Sequence, residues 1–128
     1  HGVGYISTIH EESNGFRWRK VEGINDGAVL EEGMVTSNEP GLYLEGEYGI
    51  RIENEIVVKK DVANEFGQFM SFDTITFVPI DTEAINKELM CDDEIEWLNN
   101  YHKNVYDKIE KYLEDDERAW LKEATKAI

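Results

Sequence analysis

From Gly33 to Val58 apolar and polar positions alternate with period two around a turn-rich middle, Pro40 to Gly49, the pattern of two paired strands forming a long hairpin. Successive strand residues point to opposite faces, so Val35, Ser37 and Glu39 share one face of the first strand, and Arg51, Glu53 and Glu55 share one face of the second. Antiparallel pairing brings Glu39 and Glu53 onto one surface. Two carboxylates on neighbouring strands repel each other unless a cation lies between them. A third strand is predicted from Phe69 to Ile80, rich in Phe, Ile, Thr and Val and closed by Pro79, which cannot donate to a ladder. Asp61 to Gln68 is expected to be the connection before it, and Ser13 to Leu30, with Gly15, Gly23 and Gly27, a loop region before the hairpin.

After Asp81 the period changes. Ile95, Leu98, Tyr101, Val105, Ile109 and Tyr112 recur every three or four residues, and Asp92-Asp93-Glu94 stand at the start, where negative charge favours the helix dipole. This predicts a long amphipathic helix. Glu117 to Ile128 predicts a shorter one, with Trp120, Leu121, Ala124 and Ile128 as its buried stripe. The expected class is α+β: an antiparallel sheet with a long hairpin followed by C-terminal helices, residues 1–80 strand-rich and residues 81–128 helical.

Composition changes this picture little. The chain has 128 residues, 41% hydrophobic and 32% charged, as in ordinary soluble chains. No apolar run approaches the roughly 20 residues of a membrane helix. Twenty-eight Asp and Glu against thirteen Lys and Arg give a net charge of −15, which disfavours nucleic acid and anionic membrane surfaces as partners. The basic and aromatic run Phe16-Arg17-Trp18-Arg19-Lys20 is isolated among acid and reads as a surface loop. A single cysteine, Cys91, excludes an internal disulfide and fits a reducing, cytoplasmic setting.

Candidate chemistry lies in four residues, each with a plain structural alternative. His1 and His10 stand in H-G-V-G-x5-H, where the glycines allow close backbone approach; histidines so spaced are commonly structural as well. Glu39, in Glu39-Pro40-Gly41, is presented at a strand end, as a turn glutamate would also be. Glu53, in Gly49-Ile50-Arg51-Ile52-Glu53-Asn54, points with Arg51 away from Ile50 and Ile52, and an Arg–Glu ion pair is its structural alternative. Two histidines and two carboxylates in this order nevertheless suit a divalent metal, because imidazole and oxygen donors are what Mn, Zn or Co take.

With these motifs the chain resembles the C-terminal part of the catalytic domain of a metallopeptidase of the Xaa-Pro aminopeptidase type, the aminopeptidase P branch of the pita-bread-fold peptidases. The H-G-x-G segment, the later histidine, the E-P-G strand end, the G-I-R-I-E-N strand, a Phe-containing strand ending in Val78-Pro79, and the tail Glu96-Trp97-Leu98-Asn99-Asn100-Tyr101-His102 appear in order over nearly the whole chain. The resemblance implies that the fold is the C-terminal half of a pita-bread fold. It implies His1 and Glu39 as ligands of one ion and Glu53 as a carboxylate bridging two. His10 would hold the scissile carbonyl, Glu39 would also shuttle a proton, and Arg51 and Tyr43 would steady a metal-binding aspartate by hydrogen bonds. It further implies two divalent cations, Mn foremost with Zn or Co as alternatives, a peptide substrate with proline second, and a homodimer.

Departures from the family pattern shape the remaining expectations. The two aspartate ligands of the family have no counterpart in this sequence, and Glu11-Glu12-Ser13 stands where relatives have Glu-Gly-Pro. A candidate ligand at position 1, with no initiating Met, leads us to expect a piece of a longer protein whose N-terminal part is a partner of this one. Such a piece is expected to be catalytically silent and to expose apolar surface on its sheet. A proline-specific dipeptidase or a creatinase-type hydrolase shares parts of the pattern, and a non-catalytic pita-bread interaction module is the alternative outside the enzymes.

Overall fold

A computed structural model describes residues 1–4, 14–17, 22–23 and 27–128. The chain forms two compact units, His1–Thr76 and Phe77–Ile128. The first carries the strands β1 (Val35–Asn38), β2 (Gly41–Leu44), β3 (Tyr48–Arg51), β4 (Asn54–Asn64) and β5 (Gly67–Thr74); the second carries the helices α1 (Asp92–Ile109) and α2 (Asp115–Ala124). This is the expected α+β class, with antiparallel strands first and helices after them.

In the first unit β4 lies between β1 and β5, and β2 pairs with β3 in a separate two-stranded ladder. All pairings are antiparallel. The predicted hairpin is therefore present but interrupted. Asn38 faces Asn54 at the end of one ladder, and Gly41 faces Arg51 at the start of the next. One register runs through both, so Glu39 lies opposite Glu53 and Pro40 opposite Ile52. Pro40 has no N–H to give, and only a long bond from Ile52 N to Pro40 O, 3.4 Å, spans the break. The hairpin closes through a turn in which Glu47 N donates to Leu44 O at 3.0 Å and Gly46 takes φ +75°, a conformation that favours glycine.

The third strand departs from expectation at both ends. It spans Gly67–Thr74, not Phe69–Ile80, and most of Asp61–Gln68 is strand rather than connection. The reversal after β4 is tight because Asn64 Oδ1 accepts from Phe66 N at 2.9 Å. A register shift between Lys60 and Ala63 lets the polar end of β4 keep pairing. At the other end Phe77 and Ile80 pack in the helical core of the second unit, which draws the chain away from the ladder.

Alternation decides which side of the sheet is covered. Thr36, Asn54, Ile56 and Val58, all on one face of β1 and β4, are buried. Along the same side of β2 and β3, Leu42, Leu44, Tyr48, Ile50 and Ile52 are exposed. The apolar surface expected on the sheet is therefore found on the hairpin.

In the second unit Leu98, Tyr101 and Val105 form the inner stripe of α1 and pack with Leu121 of α2; Phe77, Ile80, Ile85, Met90 and Ile109 close around them. Each such burial contributes about 1.5–3 kcal/mol. Tyr112 and Trp120, predicted to lie in the stripes, are exposed. Helix α1 ends at Ile109 and tightens into a 3-10 turn, Glu110–Tyr112, which rotates Tyr112 outward. Trp120 adjoins the buried Leu121, a step of about 100° around α2. The acidic runs start the helices: Glu94 Oε2 accepts from Cys91 N at 2.9 Å, and Glu117 Oε2 from Glu114 N at 3.0 Å. Arg118 ties the two helices together, donating to Glu110 O at 3.2 Å and Leu113 O at 2.9 Å while pairing with Asp115 at 3.0 Å. No helix among the described residues is long and apolar enough to cross a membrane.

His102 is fully buried, and Ile80 N donates to its Nε2 at 3.1 Å, a bond only the neutral ring can accept. Burial pushes its pKa below the ordinary histidine value. The stabilisation from the neutral ring is then complete above about pH 6.5, where the unfolded histidine titrates, and is lost as pH falls towards the lower folded value. The urea midpoint of the 128-residue chain is expected to fall from pH 7.5 to 5.5, and His102→Gln to flatten that dependence. An unchanged pH slope in the variant would contradict the assignment.

Candidate metal centre

The site grows from the sheet register. The first residues run antiparallel to β1: Gly2 bridges Thr36, Val3 N donates to Val35 O at 3.0 Å, and Ser37 N donates to His1 O at 2.7 Å. His1 therefore lies beside Ser37, and its imidazole stands on the face that Ser37 and Glu39 share. Its Nδ1 contacts Glu39 Oε1 directly. The same oxygen accepts from Ser37 Oγ at 2.6 Å. Both side chains are partly sheltered, His1 33% and Glu39 21% exposed.

Glu53 lies opposite Glu39 in register, with its carboxylate held by Arg51, whose Nε donates to Glu53 Oε2 at 3.0 Å. Tyr43 completes the arrangement. It lies beside the Arg51 guanidinium, and Tyr43 together with Glu53 raises the Arg51 pKa, so the charge beside Glu53 is permanent. The Tyr43 ring lies flat on the hairpin because Gly41 and Gly49 have no side chain. A Cβ at Gly41 would come within 2.6 Å of the Tyr43 hydroxyl, and one at Gly49 within 2.7 Å of Cδ1.

A cleft of about 780 Å³ opens beside His1 and Glu39, with Phe16, Pro40 and Tyr43 among its walls. Among the described residues, no group of three or more His, Cys, Asp or Glu side chains is gathered closely enough to hold an ion. The structure thus brings His1 and Glu39 together and aligns Glu53 across from Glu39, with Arg51 rather than a third donor at its carboxylate. His10 lies outside the described residues. Ser37 is the site residue that sequence reading passed over. Its position two residues before Glu39, on the same strand face, was the available signal.

The donor types, though not gathered around one point among the described residues, are those a divalent cation takes. Facing carboxylates need compensating charge, which Arg51 supplies at Glu53 in this structure. Imidazole with two carboxylates is a set that Mn or Zn accepts.

The sequence places the chain in a class of metal-dependent hydrolases. The pattern of metallopeptidase family M24 matches residues 1–60, and that of the C-terminal region of peptidase M24 matches residues 68–128. The chain belongs to metallopeptidase family M24. Across its whole length it is 40% identical to a probable Xaa-Pro aminopeptidase P of Coprinopsis cinerea and 37% identical to Xaa-Pro aminopeptidase 1 of Dictyostelium discoideum. In each case it covers 21% of the relative. Its structure matches that of the X-prolyl aminopeptidase of Caenorhabditis elegans, described as a cytosolic enzyme with a di-nuclear active site, with a TM-score of 0.83 and 37% identity. That match covers 100% of this chain and 21% of the other. The chain thus spans about one fifth of the length of these relatives.

The glycine floor under Tyr43 can be tested directly. Gly49→Ala is expected to displace the ring and to shift the Arg51 Nε–H resonance as Tyr43→Phe does, at little cost in stability because the ring is exposed. An unmoved Arg51 signal in Gly49→Ala would show that Tyr43 does not depend on the floor.

Proposed function

We propose that this chain contributes half of a two-metal centre to an Xaa-Pro aminopeptidase, which removes the N-terminal residue from peptides with proline in second position. The observation that carries the reading is the register itself, with Glu39 touching His1 and facing Glu53, within sequence 37% identical to an X-prolyl aminopeptidase with a di-nuclear site.

In this reading His1 and Glu39 hold one ion and Glu53 is shared between two, with Mn as the metal and Zn or Co able to replace it. Bound there, divalent cations supply a nucleophile near neutral pH and polarise the peptide carbonyl. The chain's own residues do the rest. Arg51, held by Tyr43, fixes the rotamer of Glu53. Glu39 relays a proton to the leaving amine, and His10 steadies the scissile carbonyl. The cleft beside His1, walled by Phe16 and Pro40, receives the extended peptide. A cytoplasmic location and a homodimer belong to the same proposal, the first supported by the lone Cys91, the second by the exposed apolar hairpin face.

A second reading has its own support. With no three-donor group among the described residues, the 128 residues by themselves could serve as a binding module. A dipeptidase or creatinase-type parent has no such specific observation behind it.

Donors for one ion, with Glu53 turned to Arg51, do not complete a two-metal cage. The 128-residue chain is therefore expected to bind Mn²⁺ weakly, seen as loss of the free-ion EPR signal, and to cleave no Xaa-Pro peptide. Glu39→Gln is expected to weaken that binding at least about tenfold. Equal binding by the variant would contradict the metal assignment, and hydrolysis that Glu53→Ala abolishes would contradict the incomplete cage. Sedimentation of the same sample reads the dimer, which a monomer at every concentration would exclude.

A further inference from the structure

We propose that Ser37 is a positioning residue of this centre, one that holds the Glu39 carboxylate in place beside His1 for the metal. The inference rests on the metal role proposed for Glu39 and adds a residue to it. Ser37 is only 3% exposed, although it sits on the strand face that carries the site. Its hydroxyl has one proton and two acceptors within reach, Glu39 Oε1 at 2.6 Å and His1 O at 3.3 Å. The shorter, charge-assisted bond takes the proton. Its backbone is committed as well, since Ser37 N donates to His1 O at 2.7 Å and the His1 nitrogen donates to Ser37 O at 3.2 Å.

One residue therefore holds both presumed ligands of the same ion, His1 through the backbone pair and Glu39 through the hydroxyl. Ser37 Oγ and the His1 ring meet on the same oxygen of Glu39, so the hydroxyl fixes the carboxylate on the side that faces the imidazole. A glutamate at a strand end, followed by a proline that breaks the ladder, would otherwise sample several rotamers. The hydroxyl removes that freedom before the ion arrives, so its loss is felt in metal affinity rather than in folding.

The test is Mn²⁺ affinity of the 128-residue chain by EPR, read beside the thermal midpoint, for wild type, Ser37→Ala, Ser37→Thr and Ser37→Cys. Ser37→Ala is expected to bind about 10- to 100-fold more weakly with its midpoint little changed. Ser37→Thr, which keeps the hydroxyl, is expected to stay near wild type. Should Ser37→Ala fail to fold, Ser37→Cys, of similar volume and with a poorer donor, is expected to show the same weakening. Wild-type affinity in a folded Ser37→Ala or Ser37→Cys, or equal weakening in Ser37→Thr, would overturn the role while leaving Glu39 as a ligand. A wild-type chain that binds no Mn²⁺ would overturn the metal reading and this inference together.

Discussion

The site depends on one constraint, the single register that carries the β1–β4 pairing across Pro40 into the β2–β3 pairing. It sets Glu39 opposite Glu53 at the point where the ladder is broken. Directly opposed residues in an antiparallel pair have Cβ atoms about 5 Å apart. Two carboxylates at that separation repel by about 1–3 kcal/mol, depending on how well water screens them. The sheet tolerates this because positive or donor groups flank the pair, with His1 and Ser37 at Glu39 and Arg51 at Glu53. A one-residue slip would send one carboxylate to the opposite face and separate it from its partners.

Pro40 and the glycines shape the same place from the backbone. Proline ends the ladder beside Glu39, and the missing side chains at Gly41 and Gly49 leave room for Tyr43 to lie against the hairpin and reach Arg51. The E-P-G and G-I-R-I-E-N motifs are thus two sides of one structural joint. One carries Glu39, and the other carries Glu53 with its partner Arg51. The apolar face of this hairpin, in contrast, is uncovered in the structure, and it continues the face that is buried along β1 and β4.

Much of this was legible in the sequence because period-two and period-3.6 patterns are local. The placing of Glu39 and Glu53 on one surface followed from alternation, and the α1 core positions Leu98, Tyr101 and Val105 followed from helical spacing. What was misjudged depended on choices that local pattern does not encode. Phe77 and Ile80 look like strand residues but pack with helices, so the third strand ended early. The polar stretch Asp61–Gln68 looks like a loop, yet it pairs because a register shift and the Asn64 turn accommodate it. Tyr112 fits the helical stripe until the 3-10 turn rotates it out. Ser37 was placed on the right face, but its role appears only when the hydroxyl is seen 2.6 Å from Glu39.

The most direct measurement is anomalous difference density at the Mn absorption edge from crystals of the chain grown with Mn²⁺. A peak in coordination contact with the His1 imidazole and the Glu39 and Glu53 carboxylates is the predicted result, with Ser37 still hydrogen-bonded to Glu39. Mn²⁺ bound elsewhere, or absent while Glu53 stays paired with Arg51, would contradict the claim that this register builds a metal centre.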